Sequence, residues 1–375
     1  MRKKTSRIRY AVVGQGYIAQ SAVLPAFQNC RKSELTALVS GDREKLNKLG
    51  RKYRVKNLFS YEEYDDCLRS GLIDAVYIAL PNHLHSQYTV TAAYAGVHVL
   101  CEKPMAVTAT ECRQMIEACD SNGVKLMIAY RLHFEGANLK AQSLIHQEKK
   151  IGEPRIYQSI HSQPTQIPNV RALPILQGGG PTYDVGLYDI NAARSIFRSE
   201  PISVLAQAVS GRTHAFKNIE ESMGVLLKFP KERLANFICS FGTVKADRFR
   251  VVGSSGELSL DPAFSFVGEK ILRWHDSKRM REIVFRARDQ FSPEMDYFSE
   301  CILSNRKIGP SGLEGLADVQ VIEAIHESAR LGRVVEIGSL SKKEISSELT
   351  REMERPPVEK PELFHAESPT KPKAA

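Results

Sequence analysis

The chain of 375 residues lacks the features that define membrane-spanning, disulfide-rich and zinc-binding proteins. Its longest apolar runs, such as DAVYIAL at 74–80, are strand-sized and far shorter than the roughly 20 residues of a membrane helix. The seven cysteines are an odd number without CxxC spacing, which argues against a disulfide framework or a zinc knuckle and favours small buried residues. No apolar signal core follows the basic start MRKKTSRIR, so we expect a cytoplasmic location.

A strongly basic patch is also missing. Lysine and arginine outnumber aspartate and glutamate by 52 to 43, a net charge of +9, but the excess is spread along the chain. No basic helix or basic–aromatic stripe occurs, so we expect neither a nucleic-acid partner nor a membrane partner. The length suggests two globular domains. We expect the excess positive charge to lie on the solvated surface, with some of it near an anionic cofactor.

Residues 8–130 alternate short apolar strand patterns with helical patterns. This alternation predicts a parallel, doubly wound sheet, and we assign residues 1–130 to a Rossmann domain. The predicted strands are 8–13, 35–39, 74–80, 98–101 and 125–129, and the predicted helices include 43–53 and 109–123.

After residue 131 longer strand patterns follow one another and predict a mainly antiparallel sheet within an α/β domain at 131–340. The strand candidates are 155–163, 202–210, 223–229, 234–242 and 248–260. One helix is predicted to begin near Pro181, and a later helix to have Ser292 as its N-cap and Pro293 at its first position. Residues 341–375 are rich in Lys, Glu, Ser and Pro, which predicts a disordered or loosely docked polar tail.

A glycine motif, Gly14-x-Gly16-x-x-Ala19, stands between the first strand and the first helix. The first glycine permits a tight turn, the second lets the backbone approach a pyrophosphate, and the small third residue allows close helix–strand contact. Its place at the start of a βαβ pattern predicts a dinucleotide site that includes Tyr17 and Ile18.

The end of the second strand indicates which dinucleotide binds. An NAD site usually carries an acidic residue there to hold the ribose hydroxyls. This strand ends instead at Ser40-Gly41, with Arg43 and Lys45 just beyond, which favours the 2′-phosphate of NADP over NAD. Asp42 has two interpretations, a cap for the following helix or a contact to the ribose.

Two further strand ends fall at the same edge of the predicted sheet, where ligands bind in such folds. His83 and His85 are two residues apart, but no third ligand with clear spacing accompanies them, so we predict no metal site. His85 is also a candidate for a packing role at the start of a helix. The residues assigned to the cofactor from these two ends are Leu80, Pro81, Asn82, His85, Glu102 and Lys103.

Several segments together resemble the oxidoreductase family named for glucose–fructose oxidoreductase, inositol 2-dehydrogenase and a rhizopine-catabolism protein. They are VVGQGYIAQ, ALVSG, DAVYIALPNHLH, CEKPMA, KLMIAYRLHF, GGGPTYDVGLYDIN and EGLADVQVIEAIHESARLGRVVEI. The resemblance covers about residues 8–340 and is closest to the glucose–fructose oxidoreductase and aldose dehydrogenase branch. It implies a Rossmann domain plus a larger α/β domain with an open sheet, often used to form oligomers, and hence a homodimer or homotetramer.

The resemblance implies that Lys103, Asp184 and Tyr188 form the reacting set. The position of Tyr188 is a histidine in much of the family and a tyrosine in the glucose–fructose, aldose and dihydrodiol branch. Oxidising an alcohol requires a base, and a free phenol with a pKa of about 10 releases its proton too reluctantly. We therefore expect Lys103 to lower the tyrosine pKa and hydrogen-bond the reacting oxygen, Tyr188 to take the proton and Asp184 to position the sugar.

Three residues after the last Rossmann strand are weaker candidates. Tyr130, Arg131 and His133 are placed where they would line a sugar pocket. We also assign Arg131 to the cofactor site, although an ion pair between the domains is an equal alternative. The glycines at 178–180 are expected to let their loop approach the substrate.

The leading interpretation is an NADP-dependent oxidoreductase that oxidises an aldose at its anomeric carbon to an aldonolactone. In one version the cofactor stays bound and passes hydride to a second sugar, as in glucose–fructose oxidoreductase. That enzyme has an export signal and an arm over its cofactor, whereas only a few residues precede the first strand here, which argues against both.

Two other functions compete with this one. The first is a conventional NAD(P)-dependent sugar or trans-dihydrodiol dehydrogenase that releases its cofactor in each cycle. The second is a non-catalytic sugar-sensing regulator on the same fold. The presence of Lys103, Asp184 and Tyr188 argues against a regulator, since fold alone would not decide between them.

Overall fold

The computed structural model describes residues 7–211, 216–276, 279–338, 355–359, 361–366 and 368–370. Six strands form a parallel sheet near the N-terminus: β1 Ile8–Val13, β2 Ser33–Val39, β3 Asn57–Phe59, β4 Ala75–Ile78, β5 His98–Cys101 and β6 Leu126–Ile128. Their order is β3-β2-β1-β4-β5-β6, the doubly wound arrangement of a Rossmann domain. Strands β1 and β4 are buried along nearly their whole length, which explains their continuous apolar sequences.

Helices cover both faces of this sheet and connect it to the second one. The α-helices are α1 Leu24–Ala26, α2 Arg43–Tyr53, α3 Tyr64–Arg69, α4 His85–Tyr94, α5 Ala109–Ser121, α6 Gly136–His146, α7 Leu187–Phe197, α8 Phe291–Leu303 and α9 Gly312–Leu331. π-Helical turns at Ala19–Val23 and Thr182–Gly186 lead into α1 and α7. Shorter 3₁₀ turns lie at Phe27–Asn29, Asn82–Leu84, Arg131–Phe134, Val170–Ala172 and Ile175–Gln177.

Nine strands form the second sheet, in the order β14-β13-β12-β11-β7-β10-β9-β8-β15. Their bounds are β7 Pro154–Ser162, β8 Ser203–Val209, β9 Ser222–Phe229, β10 Arg233–Ser240, β11 Ala246–Gly253, β12 Gly256–Asp261, β13 Lys270–Asp276, β14 Arg279–Phe285 and β15 Val335–Glu336. All neighbours are antiparallel except β10 and β7. The predicted fold class, a Rossmann domain followed by an α/β domain with a mainly antiparallel sheet, is confirmed.

Two local predictions were wrong. The segment 248–260 is not one strand but the hairpin of β11 and β12, because the sequence Gly253-Ser-Ser-Gly256 turns the chain. Helix α8 begins at Phe291, before Ser292, because the Asp289 carboxylate accepts hydrogen bonds from the amides of both residues.

Helix α8 also crosses the predicted domain division. It lies far along the chain, yet Met295 and Phe298 belong to the core of the Rossmann sheet. The hydroxyl of Tyr10 on β1 hydrogen-bonds to the Met295 carbonyl at 3.3 Å and to Ser299 at 2.9 Å. The division between 1–130 and 131–340 therefore stays a prediction about the chain, and α8 packs on the Rossmann sheet in space.

All seven cysteines are buried free thiols, as predicted for small core residues. None of the helices in the described ranges combines the length and apolarity needed to cross a membrane. Residues 341–354 lie outside the described residues. The described part of the tail, residues 355–359, 361–366 and 368–370, is called the C-terminal segment below. It contacts folded parts of the chain, and Arg355 pairs with Asp296 at 2.9 Å.

Candidate active site and cofactor cleft

A cleft of about 1610 Å³ opens at the carboxyl ends of β1, β2, β4 and β5. It continues past the start of α7 to β7 and the loop between β12 and β13. This volume exceeds the roughly 300–1,000 Å³ of a drug-sized ligand pocket and offers room for a dinucleotide and a second molecule.

The glycine turn after β1 is shaped to receive a phosphate group. Gly14 has φ +90°, and a Cβ on it would lie 2.5 Å from the Ala79 carbonyl oxygen, so only glycine fits. Gly16 faces open space, with nothing within 4 Å of where its Cβ would be. An open backbone between a strand end and helical turns fits a dinucleotide pyrophosphate. Tyr17 and Ile18 line the cleft beside it.

The end of β2 contributes two of the four residues assigned there. Ser40 and Lys45 line the cleft, whereas Gly41 and Arg43 do not. Asp42 caps α2 by accepting a hydrogen bond from the Lys45 amide at 2.9 Å, which confirms the capping interpretation. Its second oxygen lies 2.7 Å from Nδ1 of His365 in the C-terminal segment, a contact that the sequence does not suggest.

Of the residues assigned at the end of β4, some line the cleft and one does not. Leu80, Pro81 and Asn82 line the cleft. His85 does not, so its assignment to cofactor contact was wrong. It begins α4 and is completely buried, with its ring nitrogens 2.8 Å from the Pro104 carbonyl and 2.9 Å from the Leu80 carbonyl. Burial lowers the pKa of His85, although the two carbonyl contacts favour the protonated ring, and these contacts link the ends of β4 and β5.

Lys103 and Asp184 meet across the cleft. Lys103 Nζ donates to the Asp184 carbonyl at 2.8 Å and lies 3.4 Å from its carboxylate oxygen Oδ1. Burial disfavours the charged lysine, but the charges of Tyr188, Asp184 and Glu102 outweigh it and raise the Lys103 pKa. Burial likewise works against the Asp184 carboxylate, but Arg171, 2.9 Å away, and Lys103 lower its pKa below the ordinary value. The pair is therefore ionised at neutral pH.

Tyr188 lies one turn beyond Asp184 and also lines the cleft. Its hydroxyl accepts a hydrogen bond from Arg131 at 3.1 Å, and Lys103 Nζ lies over its ring, 4.6 Å from the centroid. The hydrogen-bond donor to Tyr188 in this structure is Arg131, and Lys103 lies nearby as a second cation. The structure brings all three predicted reacting residues together.

The neighbours of Arg131 explain its position. One nitrogen donates to Gln290 at 2.7 Å, and the other reaches the Phe264 carbonyl as well as Tyr188. These contacts replace the interdomain ion pair that we considered for it. Tyr130 and His133 do not line the cleft, because they bind Asp318 at 2.5 Å and Glu314 at 3.0 Å.

Sequence reasoning missed His161, Arg171 and Phe264, which all line the cleft. His161 stacks on Phe264 with ring centroids 4.7 Å apart, and Phe264 stacks on Tyr188 at 5.9 Å. A signal for His161 existed, since it continues the inward alternation of Tyr157 and Ser159 along β7. Arg171 belongs to the irregular loop 163–177, where no periodicity identifies it.

Gly178 lines the cleft and also packs against protein, as Gly180 does. A Cβ on Gly178 would lie 2.8 Å from Asn82 Cβ, and one on Gly180, which has φ +104°, would lie 2.8 Å from the Glu220 carboxylate. The expectation that they serve substrate approach was therefore wrong for Gly180. These glycines let the loop pack closely and place Asp184.

Glu102 forms the floor of the cleft next to Lys103. It is buried, accepts a hydrogen bond from the Tyr77 hydroxyl at 2.9 Å, and burial raises its pKa despite the lysine charge. Within the described ranges no three His, Cys, Asp or Glu side chains are grouped closely enough to hold a metal ion.

Two family models match this chain. One, described as an oxidoreductase family with an NAD-binding Rossmann fold, matches residues 8–130, and the other, a GFO/IDH/MocA C-terminal domain, matches residues 139–259.

Individual relatives match over most of the chain. A D-xylose 1-dehydrogenase [NADP(+)] of Haloarcula marismortui is 32% identical over 88% of this chain and 93% of its own length. A second D-xylose 1-dehydrogenase (NADP(+)), from Haloferax volcanii, is 28% identical over 88% of this chain and 99% of its own length. The crystal structure of an aldose–aldose oxidoreductase from Caulobacter crescentus, complexed with glycerol, superposes with a TM-score of 0.84 at 37% identity, covering 88% of this chain and 99% of that one.

Proposed function

Since the chain belongs to the GFO/IDH/MocA family of oxidoreductases, we propose that it oxidises aldose sugars at the anomeric carbon with NADP as the cofactor. The observation that carries this proposal is the phenol of Tyr188 at the cleft, within reach of two cations, Arg131 and Lys103. The named substrates of the relatives above, xylose and aldoses, support the same class of substrate.

The reaction removes two hydrogens from the sugar. The hydroxyl proton at the anomeric carbon passes to Tyr188, and hydride leaves the same carbon as the lactone carbonyl forms. When bound, the oxidised nicotinamide supplies the acceptor for that hydride. Arg131 lies at hydrogen-bond distance from the phenolic oxygen and Lys103 lies over the ring, so two positive charges face Tyr188 as it takes the proton.

Asp184 positions the sugar. Its carboxylate is kept charged by Arg171 and Lys103, and it lines the same cleft one turn before Tyr188. A charged carboxylate accepts strong hydrogen bonds from sugar hydroxyls. His161 and Phe264 supply the flat surface against which Tyr188 is held.

The preference for NADP is supported by the residues at the end of β2. Ser40 and Lys45 face the cleft, and the two xylose dehydrogenases carry NADP in their names. The residues that would hold the dinucleotide are the glycine turn, Ser40, Lys45 and the loop Leu80–Asn82. The cofactor is either released in each cycle or retained and reoxidised by a second sugar.

One experiment separates these functions. Purified protein without added nicotinamide is examined for bound cofactor, glucose or xylose is added, and the reduced-nicotinamide absorbance band is followed. A band that appears and then fades with a second sugar indicates retained cofactor, whereas reduction only with free NADP indicates a conventional dehydrogenase. Binding without turnover across a panel of aldoses would contradict the proposal and favour other alcohols or a regulator.

The residue assignment has its own test. Tyr188→Phe removes only the hydroxyl, so we expect turnover to fall by about 10²-fold or more while NADPH binding is kept. Tyr94→Phe, at an exposed tyrosine outside the cleft, is the matched control and should keep turnover. Near-normal turnover of Tyr188→Phe would exclude it as the base.

We further propose that the outer face of the nine-stranded sheet forms a homo-oligomer interface. Large apolar side chains are exposed on three neighbouring strands of this face, β7, β10 and β9. They are Ile156, Ile160, Leu234, Ile238 and Leu226. Exposed apolar patches of this kind mark association surfaces. Light scattering with size-exclusion chromatography should show a dimer or tetramer, and Ile160→Glu combined with Ile238→Glu should shift it toward the monomer.

A further inference from the structure

The C-terminal segment crosses the rim of the cofactor cleft and is anchored at both ends. At one end Arg355 donates to Asp296 at 2.9 Å and to the Asn29 carbonyl at 3.1 Å, on the Rossmann side. At the other end the Pro369 carbonyl accepts a hydrogen bond from the Gln166 amide at 3.1 Å, in the loop after β7. The segment therefore spans from one sheet of the protein to the other.

Its middle is held by a buried side chain of the π-helical turn Ala19–Val23, which follows the glycine motif. The Gln20 amide nitrogen donates to the Phe364 carbonyl at 2.8 Å, and the Gln20 oxygen accepts from the Phe364 amide at 2.8 Å. Gln20 is 1% exposed, so these bonds form away from most of the solvent and fix the backbone position. The Phe364 ring adds a contact with Lys48, whose Nζ lies 3.9 Å from the ring centroid.

The next residue, His365, lies at the end of β2, where dinucleotide-binding proteins discriminate between NAD and NADP. His365 Nδ1 lies 2.7 Å from the Asp42 carboxylate. A carboxylate at this place suits the free ribose hydroxyls of NAD and repels the 2′-phosphate of NADP. Pairing with His365 reduces that repulsion, and His365 itself lines the cleft together with Ser40 and Lys45.

The segment forms a wall of the cleft and does not fill it. Leu363, His365 and Ala366 line the cleft together with Gly14 and Gly16, and the whole cleft has a volume of about 1610 Å³. The segment therefore leaves open space in the cleft that it lines.

We propose that the C-terminal segment is the outer wall of the dinucleotide site, that it slows release of the cofactor, and that its His365 allows the 2′-phosphate to bind beside Asp42. This inference rests on the proposed use of a nicotinamide dinucleotide. It assigns that site a residue, His365, and a boundary that lie more than 300 positions from the glycine turn in the chain.

The first test compares three chains: the full chain, a chain ending at residue 370 as the matched control, and a chain ending at residue 359. The last keeps Arg355 and its contacts but lacks Phe364 and His365. NADPH is bound, its dissociation is started with excess NADP, and the loss of bound NADPH fluorescence is timed. We expect dissociation to be about tenfold or more faster for the chain ending at 359 and unchanged for the chain ending at 370.

The second test uses point variants, so that it does not depend on how the shortened chain folds. His365→Ala should weaken NADPH binding by about three- to tenfold, and NADH binding much less, because the Asp42 charge is left facing the 2′-phosphate. Asp42→Asn added to His365→Ala should restore NADPH binding, and asparagine still caps α2.

The outcomes separate this inference from the proposed function. If the full chain binds neither NADPH nor NADH, both fail. If all three chains bind NADPH and release it at the same rate, the proposal that the C-terminal segment slows cofactor release is refuted, while the oxidoreductase function stands. Faster binding with slower release after truncation would likewise overturn it and show that the segment obstructs the site. Equal losses of NADPH and NADH affinity in His365→Ala would refute the role of His365.

Discussion

Arg131 donates a hydrogen bond to the hydroxyl of Tyr188 at 3.1 Å, across the junction between the last Rossmann strand and helix α7. The same guanidinium binds Gln290 and the Phe264 carbonyl, so its position is set from three directions. Arg131 therefore holds a fixed positive charge next to the hydroxyl oxygen of Tyr188, the proposed base.

Replacing Arg131 tests this relationship. Arg131→Gln keeps a hydrogen-bond donor but removes the charge, and we expect kcat to fall by about 10- to 100-fold with NADPH binding largely kept. Unchanged kcat would show that Arg131 only supports the structure. Arg248→Gln, on the exposed side of β11, serves as the control.

The two glycines of the phosphate turn should respond differently to alanine. Gly14→Ala places a methyl group 2.5 Å from the Ala79 carbonyl at φ +90°, so we expect about 2 kcal/mol or more of lost stability as well as lost binding. Gly16→Ala has nothing within 4 Å, so the melting temperature should stay close to wild type while NADPH binding weakens at least about tenfold. Calorimetry and fluorescence titration separate the two effects, and normal NADPH affinity in Gly16→Ala would place the phosphates elsewhere.

Arg171 should support the charge of Asp184. Burial raises the Asp184 pKa, but Arg171 and Lys103 lower it further, so this carboxylate stabilises the fold above its unfolded pKa of about 3.9 and loses that effect as the pH falls through its lower folded value. Arg171→Gln should therefore raise the Asp184 pKa, remove about 1 kcal/mol of stability at neutral pH and raise KM for the sugar.

The measurements for Arg171→Gln are urea unfolding at pH 7 and pH 4 and steady-state kinetics. Arg155→Gln is the matched control, since that arginine is about half exposed and lies 3.9 Å from Glu153. Equal stability and equal KM for both variants would contradict a role for Arg171 in the site.

His161 should make stability depend on pH. Burial lowers the His161 pKa from 6.5 to about 4, so the unfolded chain binds a proton between these values that the folded chain does not. Stability therefore rises with pH from about 4 to about 6.5, and this residue accounts for up to about 3 kcal/mol of the change. His161→Asn should flatten that slope, and His275→Asn on β13 should keep it. An unaltered slope in His161→Asn would mean that the folded protein accommodates the charged ring.

The sequence was most reliable where the information is local. Strand β1 and helix α2 have the predicted bounds, because strand-length apolar runs and an Asp42 cap need only nearby residues. The glycine turn was also identified from its spacing, whereas the roles of Asp184 and Tyr188 came from the family resemblance. The start of α8 was misjudged because Asp289, just outside the pattern, caps it in place of Ser292.

The residues that were missed or misassigned depend on distant contacts. His85 sits at a predicted cofactor loop but turns inward to the carbonyls of Leu80 and Pro104. Arg171 comes from an irregular loop and reaches Asp184 only through the fold. The C-terminal segment has the composition of a disordered tail, yet Gln20 binds its backbone, a contact that no local pattern reveals.

The amino-acid sequence by itself determined the order of strands and helices and the glycine turn, because periodicity and spacing encode them locally, while the three proposed reacting residues came from the family resemblance. Only the tertiary structure decided which cation touches Tyr188, which partners His85 contacts and where the C-terminal segment lies. Those outcomes depend on which distant groups satisfy buried charges and hydrogen bonds, and such partners are selected by packing rather than by neighbours in the chain.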